Sequence, residues 1–245
     1  GMSVADVMVP RSQMVALALD ADFTDLMREV VDSGHSRFPV HGEDRDEILG
    51  ILLAKDLLRG VVARQAETVA QWMALGFIHG VMNTDNMTLS GETIDYGPCA
   101  FLDAYDPETF FSSVDTGGRY RYSAQPTMAT WGLARLAECL IPLAEGEADD
   151  LVTQAQERLE AFTPAYEQHR LDLLRRKLGL GRAVSEDTGL VEDLLQVAAA
   201  EALDFTGLFR DLARVLRDEP TPTLDRVRDV ARWQAWRDRG LTRLH

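Results

Sequence analysis

Residues 83–95 read Asn-Thr-Asp-Asn-Met-Thr-Leu-Ser-Gly-Glu-Thr-Ile-Asp, and this short stretch is more informative than any other part of the chain. Its order of residue types predicts an acidic tip, a strand, a tight turn at Ser90 and Gly91, and a second strand that ends in a carboxylate. In a two-residue hairpin loop, directly opposed residues have Cβ atoms about 5 Å apart. The opposed pairs in this register are Leu89 with Glu92, Thr88 with Thr93, and Asn86 with Asp95.

The pairing of Asn86 with Asp95 has a chemical consequence. An amide oxygen and a carboxylate at that separation can share one Mg²⁺ ion, which prefers oxygen ligands and keeps several waters for phosphate. Asp85, one residue earlier, is then free to act as a base near the same ion. Phosphoryl-transfer enzymes need this set of groups. The same spacing also fits a surface hairpin with solvated Asp and Asn side chains, and spacing alone leaves both interpretations open.

The bulk composition is that of a globular protein and excludes several classes of partner. The 245 residues suffice for one large or two smaller domains, and 46% hydrophobic with 27% charged residues is ordinary for a soluble chain. A formal charge of −15 argues against nucleic-acid binding, which needs a basic surface. No apolar run is long enough for a membrane span, so we expect none. The N-terminus has no secretory pattern and two cysteines cannot form a disulfide framework, so we expect a cytoplasmic protein. Gly1 before Met2 is typical of tag removal.

The apolar patterning predicts an α+β fold in two parts. Residues 1–60 predict a compact β-α-β-β-α unit with strands at 14–19, 37–40 and 48–53. An irregular acidic loop at 97–118 follows the hairpin. The rest predicts helices, which we place at 126–143, 146–162, 164–178, 188–203, 205–217 and 224–239.

The first part resembles the opening CBS motif of the CorC/HlyC-type magnesium and cobalt efflux proteins. The carrying stretches are Asp-Val-Met-Val-Pro-Arg-Ser-Gln-Met at 6–14, His-Ser-Arg-Phe-Pro-Val at 35–40 and Gly-Ile-Leu-Leu-Ala-Lys-Asp-Leu-Leu at 50–58. CBS motifs work in pairs that hold adenine nucleotides, so the resemblance implies that Asp56 contacts ribose. A single motif leaves an apolar sheet face uncovered, and we expect it to pack on the rest of the chain or to form a homodimer.

The second part, from about residue 61 to residue 245, resembles the C-terminal half of the selenoprotein O (SelO) family, whose kinase-like members transfer AMP from ATP to protein hydroxyls. Besides the hairpin, the carrying stretches are Gln-Trp-Met-Ala-Leu-Gly-Phe-Ile-His-Gly-Val-Met at 71–82, Asp-Tyr-Gly-Pro at 95–98, Phe-Leu-Asp at 101–103, Gly-Arg-Tyr at 118–120, Gln-Pro at 125–126, Arg-Lys-Leu-Gly-Leu at 176–180 and Asp-Phe-Thr-Gly-Leu-Phe-Arg at 204–210. The resemblance implies a mostly helical kinase-like C-lobe with a short catalytic β-hairpin. It also implies that Asp85 accepts the proton, that Asn86 and Asp95 hold Mg²⁺, and that ATP and a protein Ser, Thr or Tyr hydroxyl are the substrates.

The chain departs from that family's pattern in ways that affect activity. A kinase-like catalyst also needs a Gly-rich loop and a strand lysine, and neither is evident. Lys177 lies far downstream, and Lys55 belongs to the CBS-like segment. The residue at the family's loop cysteine is Phe111, and we expect the chain to lack the family's N-lobe and closing tail. We therefore expect a fragment or fusion joined near residue 60, with little or no transferase activity alone.

Several other side chains are expected to be structural. His79 should pack and bind backbone, Cys99 should be a small apolar group, and the acidic loop residues Asp103 and Asp106 should be solvated. Helical spacing predicts core positions for four aromatic residues, which are Trp72, Trp131, Phe205 and Phe209.

Three functional hypotheses follow. The first is a Mg²⁺-dependent protein adenylyltransferase fragment that uses Asp85, Asn86 and Asp95. The alternative is a non-catalytic adenine-nucleotide sensor in which the CBS-like segments of two chains bind AMP or ATP through Asp56. The third is an inactive fusion.

Overall fold

The computed structural model describes residues 14–144, 146–217 and 219–244, and within them helices predominate over two small sheets. Residues 6–13 of the CBS-like match therefore lie outside the described residues. The predicted α+β character is confirmed. We call residues 14–53 the sheet unit and residues 54–244 the helical body.

The sheet unit has the predicted element order. Its three-stranded sheet has the order β1-β2-β3, with β1 parallel to β2 and β2 antiparallel to β3. A small core under it contains Leu17, Val30, Phe38 and Leu57. The elements are β1 (Leu17–Ala18), α1 (Phe23–Ser33), β2 (Arg37–His41) and β3 (Ile48–Leu53), followed by α2 (Ala54–Leu75).

Helix α2 connects the two parts without interruption. It runs for 22 residues through residue 60, where the join was predicted. It ends at Gly76, whose φ of +73° is left-handed and whose Cβ position lies 2.7 Å from the Phe205 ring, so only glycine fits there. Leu57 packs in the sheet-unit core, whereas Leu58 and Val61 pack in the main core.

The helical body surrounds one large apolar core. A two-stranded antiparallel sheet lies beside α2 and is formed by β4 (Phe77–Ile78) and β5 (Ala100–Phe101). The remaining helices are α3 (Gln125–Leu140), α4 (Ala148–Glu160), α5 (Phe162–Lys177), α6 (Asp187–Ala200), α7 (Phe205–Val215) and α8 (Val230–Leu244). None of the described helices is long and apolar enough to cross a membrane.

The last helix begins later than predicted. A short 3-10 turn occupies Leu224–Arg226, and α8 starts at Val230 instead of residue 224. The cause is a pair of carboxylates that fix the chain in two separate places. Asp211 accepts hydrogen bonds from the amides of Thr223 and Leu224, and Glu201 accepts them from the amides of Arg228 and Asp229.

Of the four aromatic residues predicted in the core, three are buried and one is not. Trp72, Phe205 and Phe209 belong to the main core. Trp131 is 39% exposed, which contradicts the prediction. The Arg119 guanidinium carbon lies 4.9 Å from the centre of its ring, so Trp131 makes a cation–π contact at the surface of α3.

Candidate active site

The segment that carries Asp85, Asn86 and Asp95 is held closed at both ends. At its base, β4 pairs with β5 so that Ile78 lies opposite Ala100. At its tip, Met87 forms an isolated antiparallel bridge with Thr93. Asp85 and Asn86 lie on one arm between these pairings, and Asp95 lies on the other. We call residues 79–99 the catalytic loop.

The predicted hairpin is wrong in its details. Residues 83–95 contain no regular strand; Thr84–Asn86 is a 3-10 turn. Because Met87 pairs with Thr93, the predicted pairing of Thr88 with Thr93 is shifted by one residue, and the strand register that predicted Asn86 opposite Asp95 is not formed. The chain between Met87 and Thr93 is therefore longer than a two-residue turn at Ser90 and Gly91. Within it, the Thr88 hydroxyl donates to the Glu92 carbonyl at 2.7 Å.

Three side chains of α2 bind this segment and hold it in its irregular conformation. Gln65 donates to the Thr88 carbonyl, and Thr68 donates to the Gly91 carbonyl. Trp72 donates its indole N–H to the Thr93 hydroxyl at 2.9 Å. Backbone carbonyls that are satisfied by helix side chains do not need a strand partner.

His79 anchors one arm to the other. It is fully buried, and its Nε2 lies 2.7 Å from the Ile94 carbonyl, next to Asp95. Because a carbonyl only accepts, Nε2 carries the proton of this hydrogen bond. The ring also packs on Trp72 with centroids 5.3 Å apart. The predicted packing role of His79 is confirmed.

Gln125 is a buried support that sequence reasoning missed. Its side-chain oxygen accepts the His79 amide at 2.9 Å, and its amide nitrogen donates to the Phe77 carbonyl at 2.9 Å. Gln125 therefore satisfies the backbone hydrogen-bonding groups of the two residues His79 and Phe77, where the chain enters the loop. The available signal was a polar residue beside Pro126 at the start of an apolar helix, a position from which a side chain can turn back onto the core.

Two further contacts bring the loop ends together. Gly80 has φ of +83°, and a Cβ there would lie 2.5 Å from the Pro98 carbonyl oxygen, so only glycine permits this approach. On the outer side, the Tyr120 hydroxyl donates to the Asn83 side-chain oxygen at 2.7 Å. Asp115 fixes the Tyr120 backbone by accepting its amide hydrogen at 2.7 Å.

The three predicted site residues lie on the surface of this frame. Asp85 and Asp95 are exposed, and Asn86 is half-buried. The Asn86 side-chain nitrogen donates to the Val81 carbonyl at 3.1 Å, which leaves its oxygen free to accept or ligate. Asp95 has a left-handed φ of +53°, a strained conformation for a residue with a side chain.

This donor set fits Mg²⁺ of the kind that binds with phosphate. Within the described residues, no group of three or more His, Cys, Asp or Glu side chains could hold a metal ion. A resident all-protein metal cage is therefore not evident in that part of the chain. One Asn oxygen and one carboxylate are instead the small ligand set expected when water and substrate phosphate complete an octahedral shell.

The other predicted nucleotide contact has a different environment. Asp56 lies in the first turn of α2, and its Oδ1 is 3.7 Å from the guanidinium of Arg158 on α4. A carboxylate with a cationic neighbour is already compensated, and a contact from Asp56 to ribose stays a prediction. The catalytic loop lies at the opposite end of α2, after Leu75.

Lys177 cannot serve as a phosphate-binding lysine in this conformation. It donates to the Ala74 carbonyl and lies 4.4 Å from the centre of the Phe209 ring and 5.0 Å from that of Phe205. Burial lowers the pKa of its ammonium group below the ordinary value. These contacts make it a structural residue that joins α5 to α2 and α7.

The other residues predicted to be structural or solvated are found as expected. Cys99 is half-buried and packs against the main core, as predicted for a small apolar group. The exposed Asp106 bonds to the Glu108 amide at 2.9 Å, an ordinary turn contact. Asp103 is exposed, in agreement with the expected solvation.

Comparison with known proteins identifies similar sequences over most of the chain. Residues 27–241 match the family model described as protein adenylyltransferase SelO. A protein nucleotidyltransferase YdiU from Halalkalibacterium halodurans is 49% identical over 77% of this chain and 37% of its own length. A second, from Mycobacterium sp. strain KMS, is 45% identical over 88% of this chain and 44% of its length. A third, from Bradyrhizobium diazoefficiens, is 50% identical over 77% and 38%.

These matches bear on the extent of the resemblance. This chain spans about two-fifths of the length of the curated relatives that it matches. The family match begins at residue 27, inside the segment that was predicted to be CBS-like. None of these matches supports the CBS resemblance, which stays a prediction together with the proposed join near residue 60.

Proposed function

We propose a function from one premise: this chain belongs to the SelO family of protein adenylyltransferases. The proposal is that it carries the base and metal-binding half of an adenylyltransferase site. Asp85 is the base, Asn86 and Asp95 hold Mg²⁺, and the substrates are ATP and a Ser, Thr or Tyr hydroxyl of a protein.

The reaction places one demand on each residue. Asp85 accepts the hydroxyl proton while the hydroxyl oxygen bonds to the α-phosphorus, and the bond from that phosphorus to pyrophosphate breaks. Bound Mg²⁺ would supply electrostatic compensation for the negative charge of the phosphates. Asn86 and Asp95 would hold that ion through their side-chain oxygens, and the exposed position of Asp85 leaves it accessible to a protein substrate.

The observation that carries the proposal is the double closure of the catalytic loop. The β4–β5 pair and the Met87–Thr93 bridge keep both arms adjacent, and His79 ties the second arm at Ile94. The Asn86 amide, fixed by its bond to Val81, presents its oxygen. Preorganised ligands of this kind reduce the reorganisation that catalysis would otherwise require.

We infer that the chain alone is a slow catalyst. A charge-assisted hydrogen bond to phosphate contributes about 1.5–3 kcal/mol. Lys177 is occupied by Ala74 and two aromatic rings, and so it does not supply such a bond to nucleotide. Correct orientation of the reactants lowers the reaction barrier by about 7–11 kcal/mol in favourable systems. Poorly aligned ATP loses part of this reduction in the barrier.

The test is transfer of label from ATP radiolabelled at the α-phosphate to a model protein, with the full chain and Mg²⁺. We expect slow labelling that falls by about 100-fold or more in Asp85→Asn, because general-base catalysis contributes about 10²–10⁴-fold. Asp193→Asn is the matched control, since Asp193 is an exposed carboxylate on α6 that pairs with Arg239. Labelling by the unmodified chain that is no faster than by Asp85→Asn would contradict the proposal.

The sensor hypothesis stays a prediction with a separate test. It expects metal-independent AMP binding that disappears in Asp56→Ala. The ion pair of Asp56 with Arg158 gives this hypothesis no support, because it explains the carboxylate without a ligand.

A further inference from the structure

Two arginines and an exposed tryptophan form a cationic cluster beside the catalytic loop. The Arg119 guanidinium carbon lies 4.9 Å from the centre of the Trp131 ring and 5.6 Å from that of Tyr120. Arg135 approaches the same indole at 5.8 Å. We call Arg119, Trp131 and Arg135 the arginine cluster.

Residues adjacent in sequence to the arginine cluster contact the catalytic loop on both sides of Asp85. Tyr120, adjacent to Arg119, donates its hydroxyl to Asn83 at 2.7 Å. On the other side, Gly132, adjacent to Trp131, has a Cβ position 2.7 Å from the Met87 sulfur. Asn83 and Met87 enclose the turn Thr84–Asn86 that carries the base.

A cavity joins the cluster to that turn. Arg135 shares the lining of a 240 Å³ cavity with Thr84 and Met87, the residues that flank Asp85 and Asn86. A group bound at Arg135 is therefore next to the backbone that holds the proposed base.

Arg119 is prepared to bind an anion. Its backbone is fixed because the buried Asp115 accepts its amide hydrogen at 2.8 Å, and its side chain rests on two aromatic rings. Within residues 14–144, 146–217 and 219–244, no carboxylate forms an ion pair with it. A guanidinium held in this way can still offer its planar fork of donors to a carboxylate.

The charge of the surroundings makes this cluster selective. The chain has a formal charge of −15, so an acidic segment is repelled by most of its surface. Arg135 is partly compensated by Glu138 at 2.7 Å, and both side chains are exposed. An exposed pair of this type is weak, and an incoming carboxylate can compete with it.

We propose that the arginine cluster binds an acidic side chain of the protein segment that brings its hydroxyl to Asp85. The inference rests on the proposed function for the identity of the ligand. It adds a substrate preference: a Ser, Thr or Tyr flanked by Asp or Glu. Arg119 is the primary contact and Arg135 the second, with Trp131 as the apolar floor between them.

The test is direct binding, without nucleotide or metal, of two fluorescent nonapeptides to the full chain. Both have a central serine, flanked by glutamates in one and by glutamines in the other. We expect the glutamate peptide to bind about tenfold more tightly, as one charge-assisted hydrogen bond allows, and Arg119→Gln to remove that preference. Arg135→Gln should reduce it. Arg237→Gln is the control, because Arg237 is a half-exposed arginine on α8 that pairs with the adjacent Asp238.

The outcomes separate this inference from the proposed function. Equal binding of both peptides, an unchanged preference in both Arg119→Gln and Arg135→Gln, or an equal loss in Arg237→Gln overturns it. Displacement of the peptide by Mg²⁺-ATP, together with an equal loss of ATP affinity in Arg119→Gln, also overturns it and assigns the cluster to nucleotide phosphate. A glutamate preference that depends on Arg119 supports it even if no AMP transfer is found. Circular dichroism establishes that each variant folds.

Discussion

In the sheet unit the buried side chains are apolar, whereas the buried polar and charged side chains of the described part of the chain all lie in the helical body. The sheet unit uses the small cluster around Phe38, and its last strand exposes Ile48, Leu49 and Ile51. The helical body buries His79 and Gln125 under the catalytic loop. Regular strands satisfy their own backbone, but an irregular loop needs side chains to do so. The buried polar side chains His79 and Gln125 therefore lie where they hydrogen-bond the irregular backbone of the catalytic loop.

The largest expected effect comes from a buried ion pair of the helical body. Asp187 is fully buried and binds Arg175 at 2.7 Å and Arg243 at 2.8 Å. Asp187→Asn removes the carboxylate that pairs with Arg243 and one of the two that pair with Arg175, the other being Asp172 at 2.9 Å, so we expect a loss of about 3–5 kcal/mol in the free energy of unfolding measured with urea. Asp193→Asn, which removes an exposed pair on the same helix, should cost about 1 kcal/mol or less. Equal losses would show that burial does not decide the effect.

The same carboxylate gives a pH dependence. Burial disfavours the charged form of Asp187, but hydrogen bonds from Arg243, Val184 and Arg175 hold its pKa below the ordinary value. The folded state therefore binds this proton less readily than the unfolded state. Its contribution is present above an unfolded pKa of about 3.9 and is lost as the pH falls through the folded pKa. Unfolding profiles should converge for the unmodified chain and Asp187→Asn below that range, and convergence near neutral pH would contradict the assignment.

In the sheet unit the corresponding test removes apolar volume. Phe38 is fully buried in the small core, and Phe38→Ala should cost about 3 kcal/mol, the lower end of the range for such changes, because a shallow core can relax. Amide exchange should quicken in β2 and β3 while α3 and α6 stay protected. Ile51→Ala, at a side chain that is 64% exposed, is the control and should change little. Uniform loss of protection throughout the helical body would mean that the two regions are one cooperative unit.

A smaller effect is expected at the polar support of the catalytic loop. Gln125→Leu leaves the His79 amide and the Phe77 carbonyl without partners, and we expect a loss of about 2 kcal/mol in the free energy of unfolding. Gln168→Leu removes an exposed hydrogen bond to Asp172 on α5 and should cost about 0.5 kcal/mol or less. If the Gln125 variant is as stable as this control, the buried amide is not what maintains the loop.

Much of the fold could be predicted because apolar periodicity is local. The order of the sheet unit and helices α3 to α7 followed from such patterns, with ends that differ by a few residues. Leu224 was placed in the last helix because the pattern does not show that Asp211 and Glu201 hold the preceding backbone. These contacts join residues far apart in sequence, which propensity cannot anticipate.

The roles of Asp85, Asn86 and Asp95 stay predictions from spacing and resemblance, whereas the structure corrects the loop that carries them. The predicted hairpin register was wrong by one residue at Thr93. Gln65 on α2 donates to the Thr88 carbonyl, a contact from a different element that the residues of the turn do not reveal. A two-residue turn rule considers the turn alone, and a neighbouring helix can override it.

The central claim is that Asn86 and Asp95 share one divalent ion next to Asp85. Electron paramagnetic resonance with Mn²⁺, which suits the same oxygen ligands as Mg²⁺, tests it on the full chain in the presence of ATP. We expect Asn86→Ala and Asp95→Asn each to weaken Mn²⁺ binding by about tenfold or more, whereas Asp85→Asn and the remote Asp193→Asn retain it. Unchanged binding in Asp95→Asn would contradict the account.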